Sequence, residues 1–213
     1  MPTFFSETTR QSLFDFTVSL ASAARIFTAE QIASRSELSW YKDPPKRARE
    51  FLALFPEVFE TLRSPYGVPA RRRLTAKERR KRGIADRAIS GISQRSEHWL
   101  GIGDVFIALT SYGGRPTEWR VEWDSQFDIY CVWWGAPLLI EYQRSPITKR
   151  QWRDKWDARK QWYKSKTWDI TPVKLLICTT NQTDDTICLP RGTVMARRVK
   201  DVPGLLMSHT RVR

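Results

Sequence analysis

The stretch Trp119 to Ser145, WRVEWDSQFDIYCVWWGAPLLIEYQRS, sets acidic and amide side chains inside a block of aromatic and β-branched residues whose composition favours a sheet. Trp119 to Trp123 and Phe127 to Trp134 flank a polar Asp124-Ser125-Gln126 turn and predict a hairpin. A third run, Pro137 to Gln143, follows Gly135-Ala136. Side chains alternate along a strand, so Glu141 and Gln143 take one face, and Ile140 and Tyr142 the other. Asp128 shares its face with Tyr130 and Val132. A carboxylate on one strand and Glu-x-Gln on the next can converge at one sheet edge, where oxygen ligands suit Mg²⁺ or Mn²⁺.

Acids near strand ends are more often simply solvated. Glu141, however, directly follows Pro-Leu-Leu-Ile in a stretch that reads as buried, and an ionised carboxylate there is costly unless paired or metal-bound. Glu122 is either a further metal ligand or a surface residue of the first strand. Downstream, Thr148 to about Lys164 predicts a helix with Trp152, Trp156 and Tyr163 in one narrow arc that covers the sheet, leaving Trp162 and Trp168 freer to meet a nucleic acid. Val173 to Thr179 is a strand of the buried type, and the order strand, helix, strand implies a parallel crossover. Lys155, Arg159 and Lys160 flank the helix's apolar arc, so that one of them can reach over the sheet edge towards Glu141; surface lysines are otherwise solvated.

FDIYCVWWGAPLLIEYQRSP together with RDKWDARKQWY resembles the PD-(D/E)XK nuclease superfamily, whose shared pattern is an Asp on one strand and Glu-x-Lys on the next. The Glu-x-Gln followed by an amphipathic helix is similar to competence-type nucleases, and the whole chain resembles the replication-relaxation family of phages and plasmids, which pairs a winged helix with a nuclease-like half. The resemblance implies an α+β fold of restriction-endonuclease type with core order α-β-β-β-α-β. It implies Asp128, Glu141 and Gln143 as metal-binding and catalytic residues, and favours Lys160, three residues before Tyr163, as the catalytic lysine, with Lys155 the other candidate. Gln143 stands where the superfamily has Lys, which puts the role of that lysine in question.

The N-terminal half reads as helix, helix, helix, hairpin. Thr8 to Ile26 has helical apolar spacing after Ser6; Thr28-Ala29-Glu30-Gln31 matches a capping box; Asp43-Pro44-Pro45 opens Lys46 to Phe55. Val58 to Arg63, a Ser64-Pro65-Tyr66-Gly67 turn and Val68 to Leu74 predict two strands, the wing of a winged helix, although such elements also occur in protein-interaction domains. Lys46, Arg47 and Arg49 on the third helix, with Arg71, Arg72, Arg73, Arg79 and Arg80 of RRRLTAKERRKR, are the expected DNA contacts. The polar run Gly83 to Arg95 marks the junction, giving a winged-helix domain over 1–88 and a nuclease-like domain over 96–213, the latter opened by a helix from Ser96 or Glu97 to near Gly113-Gly114. Arg191 to Lys200 and Val202 to Met207 would add a further helix or strand.

Both halves are basic, with 18 basic against 10 acidic residues up to Arg95 and 18 against 13 after it, and the formal charge of +13 suggests a polyanionic partner, most simply DNA. No apolar run approaches the roughly 20 residues that span a bilayer, and MPTFFSETTRQ lacks the pattern of a signal peptide, so a cytoplasmic protein is expected. Cys131, Cys178 and Cys188 lack Cys-x-x-Cys spacing and read as reduced. With only His98 and His209, a His-rich zinc site, an HNH centre or a His-cluster relaxase is excluded. Three readings follow: a Mg²⁺- or Mn²⁺-dependent DNA endonuclease or nickase, with a homodimer if both strands are cut; a non-catalytic replication or copy-control factor on a nuclease fold; or a nuclease subunit of a transposition complex.

Overall fold

A computed structural model of the chain describes residues 5–62, 66–84, 93–112, 114–124, 126–183, 186–187 and 189–210. Ser64-Pro65, Ser125, most of the expected junction, Gly113 and Cys188 lie outside these. The fold is mixed α/β, and the chain divides into two units, 1–107 and 108–213.

In the first unit each helix begins where a side chain satisfies its leading N–H groups. Ser6 caps α1 (Glu7–Ala24), accepting from the Thr9 amide at 3.2 Å. Thr28 and Gln31 form the expected capping box of α2 (Ala29–Ala33), just after the two-residue strand β1 (Phe27–Thr28). Asp43 caps α3 (Pro44–Leu52), whose prolines occupy the first turn, where no N–H is needed. Strands β2 (Phe59–Thr61) and β3 (Arg71–Leu74) complete a three-stranded antiparallel sheet of order β1-β3-β2, followed by α4 (Ala76–Lys81). Leu13, Leu20, Phe27, Ile32, Phe51 and Leu52 are fully buried, and their burial supplies the stability that helices this short lack alone.

The helix α5 (Gln94–Ser111), expected to open the second domain, lies over most of its length in the first unit. Trp99, Ile102 and Val105 are fully buried; the Gln31 amide donates to the Leu100 carbonyl (2.9 Å) and to Asp104 Oδ1 (2.7 Å). Gly103 permits this approach, since a Cβ there would stand 3.0 Å from Gln31 Nε2 and 3.1 Å from Ala24 Cβ. These partners lie some 70 residues away in sequence, beyond the reach of any local pattern.

The second unit is built on a five-stranded sheet of order β4-β5-β6-β7-β8: β4 (Thr117–Trp123), β5 (Phe127–Trp133), β6 (Ala136–Gln143), β7 (Val173–Cys178) and β8 (Thr193–Ala196). β5 runs antiparallel to both of its neighbours, β4 and β6; β7 and β8 join in parallel. The crossover from β6 to β7 is α6 (Lys149–Lys164), opened by a Thr148–Gln151 capping box, and α7 (Val202–Thr210) follows β8. Trp152 and Trp156 of α6, stacked at 6.4 Å, bury against Phe127, Leu139, Leu176 and Cys178. Trp162 and Trp168, expected to be freer, are half-buried against the same core. Cys131 and Cys178 are buried thiols. No helix among the described residues is long and apolar enough to cross a membrane.

Candidate active site

The turn between β5 and β6 sets the geometry. Its two central residues, Trp134 and Gly135, both have positive φ (51° and 75°), as a two-residue hairpin turn of the primed type requires. Trp133 therefore pairs with Ala136, and the register runs on to Ile129 opposite Ile140. One step further places Asp128 opposite Glu141, with both side chains on the face that α6 covers. A Cβ at position 135 would meet no atom within 4 Å, so only the backbone penalises a substitution there. Gly135→Ala is expected to cost about 1 kcal/mol in chemical denaturation, through φ alone.

Glu141 is 2% exposed. Its Oε1 accepts from Lys155 Nζ and its Oε2 from Arg159 Nη2. Lys155 Nζ also donates to Gln143 Oε1 at 3.0 Å, while Gln143 Nε2 donates to the Ser145 carbonyl at 2.6 Å. These two bonds turn the amide oxygen of Gln143 towards Lys155 and Glu141. Asp128 Oδ2 accepts the Tyr142 backbone N–H at 2.7 Å, which fixes its carboxylate beside Glu141. Lys155 and Arg159 lie four residues apart, so one face of α6 delivers both cations.

Burial raises the Glu141 pKa, and the negative charge of Asp128 raises it further; Arg159 and Lys155 oppose this without cancelling it. A carboxyl held above its unfolded value contributes stability in full below that value, and loses it as pH rises through the folded one. In EDTA, wild type is therefore expected to lose stability relative to Glu141→Gln as pH is raised above the ordinary carboxylate range, read as the difference in denaturation midpoints.

Lys160, the lysine favoured by the family resemblance, is exposed and does not join this group. It lines a cavity further along α6 with Tyr163. Lys155 is the lysine at Glu141. Glu122 falls opposite Asp128 in the β4–β5 register, but its φ of 52° breaks the regular alternation of the strand, so register alone does not bring its carboxylate to Asp128. Among the described residues no group of three or more His, Cys, Asp or Glu side chains is arranged to hold a metal ion. The oxygen donors gathered here are Asp128, Glu141 and the Gln143 amide, a hard set of the kind Mg²⁺ or Mn²⁺ takes. Of the three basic residues expected to offer one partner to Glu141, two reach it, Lys155 and Arg159, where a single one was expected.

In the first unit, Lys46 and Arg49 on α3 and Arg80 on α4 are exposed. Arg47 is half-buried and paired with Glu50 (2.6 Å), Arg72 is half-buried, and Arg73 is paired with Glu60 (2.6 Å). Two expected DNA contacts are corrected. Arg71, 2% exposed, bonds to Ser96 and Glu97, and Arg79, 8% exposed, holds Glu60 and the Leu74 carbonyl. Both tie β3 to its neighbours, because a guanidinium taken out of water must find acceptors inside. Lys77 and Lys81, absent from the expected contacts, are exposed beside Arg80.

Compared with known proteins, the chain matches no family model, no curated protein sequence and no solved structure.

Proposed function

We propose that the chain is a metal-dependent DNA endonuclease or nickase of a phage or other mobile element, with a winged-helix DNA-binding unit followed by a PD-(D/E)XK-like core of the replication-relaxation type. The observation that carries this reading is the meeting of Asp128, Glu141 and Gln143 on one sheet face, with Lys155 reaching both Glu141 and Gln143. A lysine delivered from the helix to this position can replace the strand lysine that Gln143 displaces. The order α1-β1-α2-α3-β2-β3 with its antiparallel sheet supports the winged-helix assignment, and β4-β5-β6-α6-β7 in the second unit supports the nuclease core.

Asp128, Glu141 and the Gln143 amide oxygen would hold a Mg²⁺ or Mn²⁺ ion, which supplies Lewis-acid stabilisation of the phosphate and a water of lowered pKa. Lys155 places a positive charge where the phosphate's charge grows during displacement. Arg159, buried behind it, fixes the rotamer of Glu141. Lys46, Arg49, Arg72, Arg80 and their neighbours give the first unit its phosphate affinity. Cutting both strands calls for two such sites, hence a homodimer on the DNA.

A second reading, a replication or copy-control factor that keeps the fold without its chemistry, draws on one observation: both Glu141 oxygens are already taken by cations. Nicking of supercoiled plasmid with Mg²⁺ or Mn²⁺ separates the two. Metal-dependent conversion to open circles is expected; DNA binding without any nicking would favour the factor, or a transposition subunit that cuts only with its partners.

A further inference from the structure

A cavity of about 530 Å³ opens beside the carboxylate site, lined by α6, the start of β7 and the segment 189–191. Its volume falls within the roughly 300–1,000 Å³ of small-ligand sites. Phe127, Trp156, Tyr163, Leu189 and Pro190 supply its apolar and aromatic lining. Arg153, Lys160, Lys164, Lys174 and Arg191 surround them, with Asp157 and Arg159 completing the wall. Among the described lining residues Asp157 is the one acid against six cations. The nuclease reading uses none of this beyond Arg159.

The lining is two-natured. A cationic rim alone suits any anion, and an apolar floor alone suits any small hydrophobe; together they select a flat, π-faced group that carries phosphate. Burial lowers the Lys174 pKa, and an adjacent phosphate would raise it again.

We infer that this cavity is a nucleotide subsite: it takes one base with its sugar against Phe127, Trp156 and Tyr163, and holds the attached phosphate with Lys160, Lys164 and Arg191. The inference rests on the nucleic-acid reading of this unit, not on cleavage. The nucleotide comes either free or as one residue of an unpaired strand, and the subsite adjoins Glu141 through Arg159, which lines the cavity and bonds to that carboxylate.

The full chain is titrated calorimetrically in EDTA with thymidine 5′-monophosphate, with the pentanucleotide dT5 and with inorganic pyrophosphate, alongside Lys160→Glu, Lys164→Glu and, as a control for net charge, the exposed Lys200→Glu. Nucleotide binding that weakens about tenfold in each rim variant and is unchanged in Lys200→Glu is expected. Tighter binding of dT5 than of the monophosphate identifies a strand as the source, and equal binding a free nucleotide. The inference is overturned if neither nucleotide binds, if Lys200→Glu loses as much as the rim variants, or if pyrophosphate binds as tightly as the monophosphate. Rim-dependent binding without plasmid nicking removes the cleavage reading alone; nicking without rim-dependent binding removes the subsite alone.

Discussion

Asp128→Asn is expected to reduce metal-dependent plasmid nicking by about 10²–10³-fold, the usual loss when one preorganised electrostatic group is removed from such a site, while duplex affinity in EDTA stays unchanged. The asparagine oxygen can still accept the Tyr142 N–H, so the end of β6 keeps its anchor. What disappears is one negative charge beside Glu141. Because that charge also raises the Glu141 pKa, the same variant should lower it, a change visible in the pH dependence of stability even if no nicking is found. Nicking that survives in Asp128→Asn would remove Asp128 from the chemistry.

Glu141→Ala should have the largest effect on stability. It strips the acceptor from a buried guanidinium, and breaking a buried ion pair by removing one partner costs about 3–5 kcal/mol. The Arg159 side chain is 8% exposed and cannot escape to water, whereas Lys155, at 31%, can turn outward. Thermal unfolding should therefore fall by on the order of 10 °C. Adding Arg159→Met to Glu141→Ala should recover much of the loss, since the charge that had no partner is gone. If the two substitutions are simply additive, the guanidinium is not held by Glu141. This is also why Glu141→Gln, which keeps an acceptor oxygen, is the better variant for reading chemistry apart from folding.

What the sequence made legible was local. The capping box at Thr28 depends on residues three apart and is present as read. The shared face of Asp128 and Glu141 follows from strand alternation and a two-residue turn. The parallel crossover through α6 follows from the order strand, helix, strand. The misses were non-local. Arg71 and Arg79 sit in a run that reads as a solvated basic stripe, and only Glu97 and Glu60, far away in sequence, show that they are structural. Lys160 was favoured by family pattern, whereas the phase of α6 against the sheet brings Lys155 to the carboxylate instead. That phase depends on how Trp152 and Trp156 seat on Leu139 and Leu176, which periodicity narrows without fixing.

The account turns on one ion between two strands, and anomalous diffraction from a Mn²⁺-soaked crystal tests that directly. A single peak within roughly 2–2.5 Å of carboxylate oxygens of both Asp128 and Glu141 is expected, with Lys155 or Arg159 drawn back from the oxygen it now holds. A soaked crystal without such a peak, in which both cations still clasp Glu141, would contradict it.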